Sequence, residues 1–324
     1  MPAPVAVTGA GGFVGSRLVR RLRGAGTAVR AVIRAARDAE PLRALGCEVA
    51  VADVTDRAAL AAAFSGCRAA VHLAAIIRER DGLTFDAVNH QGAANAAAAA
   101  AASGIGRFVH LSALRASPEA ARYLRSKWQG EEAVRRSGLP AVIFRPSVLL
   151  GPGGGAAAQF ADVVRYGLWY PVVGGRVPGR RLAGTLAALT PFVPVLGDGR
   201  YTSMPVALDD VLPAVAAALE RDDVLGGTFE IGGPEVLTYD ELVRRVAAVL
   251  GLRRVLWHLP MPAARGLLRL FALLPDPPIT RDEFDALLVD NVCDPAPAVR
   301  AFGLRLRPVE QALREALTPS GEKT

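Results

Sequence analysis

Tyr123 and Lys127 stand four residues apart, in the run Tyr123-Leu124-Arg125-Ser126-Lys127. Residues i and i+4 share one helix face, so a phenol and an ammonium at this spacing can work together. A lysine beside a tyrosine favours the phenolate and is expected to draw the phenol down from about 10. A general acid or base works best when its pKa lies near the operating pH. The lysine is conspicuous by rarity: Lys and Arg together number 38 in 324 residues, yet Lys occurs only at Lys127 and Lys323. Arg is a planar, permanently charged fork, whereas Lys is a compact point charge on a flexible stem. The exception to arginine therefore marks a place where that difference matters. The plain alternative is a surface lysine one turn from a half-buried tyrosine.

A second constellation lies at the N-terminus. Pro4-Val5-Ala6-Val7-Thr8 reads as a short apolar strand and runs into Gly9-Ala10-Gly11-Gly12-Phe13-Val14-Gly15. Val14, Leu18 and Leu22 then share one stripe of a helix that Gly26 stops. Strand, glycine turn and helix, in that order, form the context of a dinucleotide fingerprint. The glycines let the backbone approach a pyrophosphate, and the helix N-terminus offers free N–H groups and the positive end of its dipole. A tight turn without a ligand is the alternative. The next strand, Val29-Arg30-Ala31-Val32-Ile33, ends in Arg34, with no acid before Asp38. An acid at that strand end would hold the ribose diol of NAD, whereas Arg accommodates a 2′-phosphate. Arg37 could add a second contact, and NADP is expected ahead of NAD.

Thr8-Gly9-x-x-Gly12-x-x-Gly15 together with Tyr123-x-x-x-Lys127 resembles the extended or atypical short-chain dehydrogenases/reductases, the epimerase/dehydratase-like group. The resemblance covers nearly the whole chain. It implies catalytic roles for Tyr123, Lys127, Ser112 and Asn89, with Asn89 in the segment Val88-Asn89-His90-Gln91-Gly92. Cofactor contacts are implied at Thr8, Gly9, Gly12, Phe13, Val14, Gly15 and Arg34, and at Asp53 and Val54 beside the adenine. Leu73, Ala74 and Ala75 would run beneath the cofactor, while Tyr123, Lys127, Pro146, Ser147 and Val148 would border its nicotinamide end. Ile76, Ile77, Ser112, Leu114 and Tyr123 are the implied substrate contacts. Phe229-Glu230-Ile231-Gly232-Gly233-Pro234-Glu235, Pro278-Ile279-Thr280-Arg281-Asp282 and Val289-Asp290-Asn291-Val292 resemble proteins related to the NADPH-binding accessory subunit of respiratory complex I. That kinship leaves open a nucleotide-binding structural or assembly role without turnover.

These residues need a scaffold, and the rest of the sequence reads as one. Strands are expected near 4–8, 28–33, 47–52, 69–73, 106–112 and 140–145, with helices between them. This is the pattern of a Rossmann-type, doubly wound parallel sheet of the α/β class. The alanine-rich run from Ala93 to Ala102 reads as a close-packing helix, since Ala is the best helix former. The Tyr–Lys helix is expected to start at Ser117-Pro118-Glu119 and stop near Gly138. A nucleotide domain is expected over 1–150, with 204–222 returning to it. A smaller substrate domain takes 151–203 and 223–324, with an insertion near 170–192 suggested by the near-duplicates Tyr170-Pro171-Val172-Val173-Gly174-Gly175 and Val193-Pro194-Val195-Leu196-Gly197. The basic and apolar stretch from Arg176 to Thr190 reads as a surface helix, a lid or a membrane-surface contact.

Composition narrows the classes. Cys47, Cys67 and Cys293 are odd in number and widely spaced, which suits a reducing cytosol and no metal site. Met1-Pro2-Ala3 leads straight into the first strand, so no signal peptide is expected. The net charge of +7 is scattered in arginine pairs with few interleaved aromatics, so no nucleic-acid partner is expected. The function expected is NADP(H)-dependent oxidation or reduction at a carbonyl/alcohol carbon, with epimerisation or dehydration as a variant on the same scaffold. No Asn occurs between Asn95 and Asn291, and Ile76 and Ile77 follow Ala75. Sugar-nucleotide enzymes tend to be polar at both places, so an apolar substrate of quinone, terpenoid or steroid size is expected. The run Ala263 to Leu274, with Arg265 and Arg269, reads as a helix covering the substrate domain or lying in a membrane interface. The location expected is cytoplasmic, free or peripheral at the inner face of the membrane.

Overall fold

The apolar runs of the first half assemble into one parallel sheet. In a computed structural model, which describes residues 2–170, 190–274 and 277–318, six strands come first. They are β1 (Val5–Thr8), β2 (Val29–Ile33), β3 (Glu48–Val51), β4 (Ala69–His72), β5 (Phe108–Leu111) and β6 (Ala141–Pro146). A seventh strand, Thr228–Ile231, pairs with β6, so the order is Thr228–Ile231, β6, β5, β4, β1, β2, β3. Val7 aligns in parallel with Ala31 on one side and with Val71 on the other. β1, β4 and β5 are buried throughout, as parallel strands covered on both faces are, and so are apolar without alternation except at Thr8, His72 and His110. From β1 the chain steps out to β2 and β3, then crosses back to place β4 on the other flank of β1. Ligands of such sheets bind beyond the carboxyl ends of the strands at this reversal.

The helices follow the sequence with two departures. α1 (Phe13–Gly24), α2 (Glu40–Ala44), α3 (Arg57–Phe64) and α4 (Gly92–Ala102) link the strands, and α5 (Arg122–Arg136) carries Tyr123 and Lys127. In α4, Ala93, Ala96, Ala97, Ala99 and Ala100 are buried, so the alanine run is a packed helix. The first departure is the start of α5 at Arg122 rather than Ser117. The Ala120 N–H bonds back to the Ser117 carbonyl in a single turn, and Ala121 is then extended at ψ 156° before the helix begins. The second is a wide π turn at Asp86–Gln91, running directly into α4 and carrying Asn89. Such turns recur at functional sites. Here α5 lies close against it, because Gly130 presents only hydrogen to the Asn89 carbonyl.

The chain divides into two units at boundaries that differ from those expected. One unit holds Met1–Pro146, Leu208–Ile231 and Cys293–Arg305; the other holds Ser147–Ala207, Gly232–Val292 and Leu306–Thr324. The returning segment is thus later and longer than 204–222, because Thr228–Ile231 extends the sheet at β6. A further return, 293–305, was not anticipated. Its Phe302 ring sits 5.3 Å from Phe144 and 4.9 Å from Phe229, which draws that helix onto the sheet. Within the second unit, Leu149–Leu150 pairs with Val206–Ala207 and Phe192–Leu196 pairs with Val255–Leu259. Helix α6 (Gly155–Tyr166) and the helix Tyr239–Val249 share a core with these strands, built from Leu150, Val164, Val193, Val195, Leu242 and Val246. Thr238 and Glu241 cap the second helix reciprocally. The expected insertion near 170–192 and the stretch from Arg176 lie almost wholly outside the described residues. Among the described residues no helix is long and apolar enough to cross a membrane.

The approach of α5 to the π turn can be tested by adding one methyl group. In Gly130→Ala it would lie 2.6 Å from the Asn89 carbonyl oxygen, so stability in urea should fall by about 1–3 kcal/mol. Gly24→Ala, with nothing within 4 Å of the added carbon, should leave stability unchanged or raise it by up to about 1 kcal/mol. Equal midpoints for the two variants would contradict this packing.

Candidate functional site

The glycine turn is built for close approach. Gly9 adopts φ +68°, a left-handed conformation that side chains disfavour, and its carbonyl accepts the Gly12 N–H at 2.9 Å. A Cβ on Gly15 would lie 2.1 Å from the Gly9 carbonyl oxygen, so only hydrogen fits where α1 leaves the turn. Phe13 and Val14 form the first turn of α1, which has no side-chain cap and no acidic residue. Its N–H groups and dipole thus remain available to an anion. The Thr8 hydroxyl accepts from the Leu73 N–H at 3.3 Å and lies 2.9 Å from His72 Nδ1, which ties the ends of β1 and β4 together.

Beside this turn lies a cavity of about 340 Å³ lined by Thr8, Gly9, Gly11 and Gly12 at one end. Asp53, Val54, Ala74, Ala75 and Ile76 form further walls, and Arg34 and Asp38 stand at the end of β2. Asp53 Oδ1 accepts from both the backbone and the hydroxyl of Thr55, which fixes the loop after β3. These residues fit a dinucleotide: a cradle a Cβ would fill, an uncapped helix end, and a wall running along the strand ends. Asp38, noted in the sequence only as the first acid after the second strand, brings a carboxylate into the same cavity as Arg34.

The catalytic candidates gather around α5. Lys127 is 3% exposed, and its Nζ donates to the Leu111 carbonyl at 2.8 Å, at the end of β5. Burial pushes this ammonium down to about 8, with the Glu131 charge one turn on working against the fall. Tyr123 is half-buried, its ring tilted against Phe85 at 5.7 Å. The expected lowering of its phenol is not found: desolvation pushes it up to about 12. Ser112, next after Leu111, is buried, and its hydroxyl makes no hydrogen bond to the described residues. Asn89 accepts the Ile76 N–H at 2.8 Å, and donates to the Ile76 carbonyl and the Ser126 hydroxyl. The same Ser126 hydroxyl donates to the Tyr123 carbonyl at 2.6 Å. Asn89 therefore positions the loop after β4 and the first turn of α5.

Other expected residues lie elsewhere. Ile77 is 61% exposed and Leu114 only 1%, so Leu114 offers a ligand no surface. Pro146 closes β6 and accepts the Leu114 N–H, whereas Ser147 and Val148 belong to the second unit. There the Ser147 hydroxyl donates to the Asn291 side chain at 2.8 Å. Two features were missed. Glu131 is fully buried and held by Arg145 through two hydrogen bonds, at 2.8 and 2.7 Å, and by Arg135 at 2.8 Å. Its place four residues after Lys127 puts it on the same helix face, but its burial depends on Arg145 from β6. His72 and His110 stack at 5.4 Å in the sheet interior, kept neutral by burial first and then by the charge of Lys127.

Known proteins resemble this chain in sequence and in fold. The family described as NAD(P)H-binding covers residues 9–167. A ceramide reductase of Caulobacter vibrioides (strain NA1000 / CB15N) is 34% identical over 263 residues, 80% of this chain and 74% of that protein. The chain belongs to the NAD(P)H-binding family. Another relative is the mitochondrial NADH dehydrogenase [ubiquinone] 1 alpha subcomplex subunit 9 of Arabidopsis thaliana, 29% identical over 88% of this chain and 70% of that one. In fold, this NAD(P)H-binding chain is similar to the Bordetella bronchiseptica enzyme WbmH in complex with NAD+, with a TM-score of 0.69 at 19% identity over 97% of each chain.

The scarcity of lysine permits a direct titration of the site. With lysine carrying ¹³C at the ε position, the free protein should show two signals, and that of Lys127 should titrate near pH 8. Glu131→Gln should move that midpoint to lower pH, because the Glu131 charge opposes the fall, and should cost about 1.5–3 kcal/mol in stability. In the ultraviolet difference between the protein and Tyr123→Phe, no ionisation should appear below about pH 11, since burial raises the phenol. A phenol transition near neutrality would contradict the burial argument.

Proposed function

We propose that this protein is an NADP(H)-dependent reductase of a carbonyl group on an apolar molecule, with Tyr123 as the proton donor. The observation that carries the reading is the convergence on the end of β5, where the Ser112 hydroxyl, without a hydrogen bond to the described residues, follows the carbonyl that holds Lys127. A reduced nicotinamide cofactor held by the glycine turn and the strand ends would supply the hydride to the carbonyl carbon. Ser112 donates a hydrogen bond to the carbonyl oxygen, and Tyr123 delivers the proton that converts it to a hydroxyl. Its phenol, raised to about 12 by desolvation, keeps its proton at neutral pH and is a weaker acid than an ordinary tyrosine, so the proton transfer depends on help from a nearby positive charge. Charge then develops on the phenol oxygen, and the Lys127 ammonium, on the same helix face, stabilises it. Asn89 keeps the Tyr123 end of α5 in register with the loop after β4.

Support for the apolar substrate comes from the ceramide reductase relative, whose name specifies a lipid. Support for NADP comes from the exposed Arg34 at the end of β2, a cation placed for a 2′-phosphate. Asp38 in the same cavity would oppose that phosphate by charge, so the preference is the net of the two.

Tyr123→Phe should lower turnover by about 10²–10⁴-fold, the usual worth of a positioned acid, with NADPH affinity nearly unchanged. Lys127→Arg should also lose activity, since it keeps the charge and changes its shape. Retained nucleotide binding with no turnover on any long-chain ketone, by wild type or variant, would favour a structural role such as the complex I relationship suggests. Arg34→Ala should weaken NADPH about tenfold or more and spare NADH, the worth of a charge-assisted contact being about 1.5–3 kcal/mol. Equal affinity of the unchanged protein for the two nucleotides, measured by calorimetry, would contradict the NADP assignment.

A further inference from the structure

The helix Met261–Phe271 is attached to the second unit by a narrow seam. Ala264 is its one buried residue, and Met261, Leu268 and Phe271, at i−3, i+4 and i+7 from it, are half-buried on the same side. An ordinary surface helix turns a polar face outward. This one turns out a second apolar stripe, on which Ala263, Leu267, Leu270 and Leu274 recur at helical spacing. Leu270 is 61% exposed and Leu274 47%, and Leu273 in the closing turn is 80% exposed. The strand leading into the helix adds exposed Val255 and Trp257.

Charge states what kind of surface covers this stripe. From Arg253 to Pro275 the sequence contains four arginines and not one Asp or Glu. Arg265 and Arg269, one turn apart on another face of the helix, are exposed, and neither joins an ion pair with a described residue. The stripe offers only Ala and Leu, and every charge in the segment is positive, which matches an anionic apolar boundary. An interfacial helix needs leucines that enter the acyl boundary and cations on long stems that reach up to anionic headgroups.

We infer that the segment Met261–Leu274 is a docking surface for an anionic phospholipid bilayer, with the leucine stripe inserted and Arg265 and Arg269 on the headgroups. The inserted segment is short, so the contact is reversible and depends on salt. It stands independently of the reaction at Tyr123.

The test is flotation of the full chain with vesicles of phosphatidylcholine alone or mixed with phosphatidylglycerol. At low salt the protein should float with the anionic vesicles about tenfold more than with the neutral ones, and should be released at ~0.5 M salt, where screening is nearly complete. Leu270→Glu/Leu273→Glu and Arg265→Ala/Arg269→Ala should each reduce flotation about tenfold. Thermal midpoint and NADPH affinity should stay unchanged, because all four side chains are exposed. No flotation with anionic vesicles at low salt, equal flotation with neutral ones, or full flotation of the variants would overturn the inference. So would light scattering in which the leucine variant turns a dimer into a monomer without any vesicle binding, since the stripe would then belong to a second copy.

Discussion

A fully buried carboxylate is expensive unless each oxygen is matched, and Glu131 is matched on both. Arg145, from β6, grips it with two parallel bonds, and Arg135, from α5 itself, adds a third. Arg145 also reaches Glu230, and Arg135 reaches the Thr228 hydroxyl, both on the strand beyond β6. The helix that carries Tyr123 and Lys127 is therefore pinned against two strands by groups that cannot let go without leaving charge uncompensated. That sets its rotation. Lys127, one turn before Glu131, then has the Leu111 carbonyl within reach, and Gly130 meets the Asn89 backbone.

The nucleotide end is organised by a different kind of constraint. There the chain is held by closeness: a glycine where any Cβ would collide, and a threonine hydroxyl between the ends of two adjacent strands. Polar matching orders one side of the sheet reversal and steric absence orders the other. Both act on the strand ends, which is why the cavity and the buried lysine lie at carboxyl ends of strands in the same sheet.

Much of this was legible in the sequence because it is local. The strand–glycine–helix opening, the Tyr123–Lys127 spacing and the alternation through β6 each depend on a few consecutive residues. What escaped depends on distant partners. Glu131 reads as one more acid on a charged helix until Arg145, fourteen residues on, is folded back against it. The returns at 208–231 and 293–305 rest on a cluster of Phe144, Phe229 and Phe302, which no window of sequence brings together. The phenol of Tyr123 was misjudged because spacing reports the nearness of a charge but not the loss of water, and here the loss of water is the stated cause. The π turn was hidden for a related reason, since its sequence is compatible with an ordinary helix and its width shows only in the fold.

The packing of α4 bears on how this chain can change over generations. Ala96, Ala97, Ala99 and Ala100 are each at most 1% exposed. A single-base change in an alanine codon leads only to Gly, Val, Thr, Ser, Pro, Asp or Glu. Gly and Pro weaken or break the helix, Val and Thr overfill a space shaped for one methyl, and the remainder bury a polar group or a charge. Every one-step neighbour of these positions in the genetic code is thus disfavoured, for one reason or another. A helix that looks like the least distinctive sequence in the chain is one of the places where drift has the fewest exits.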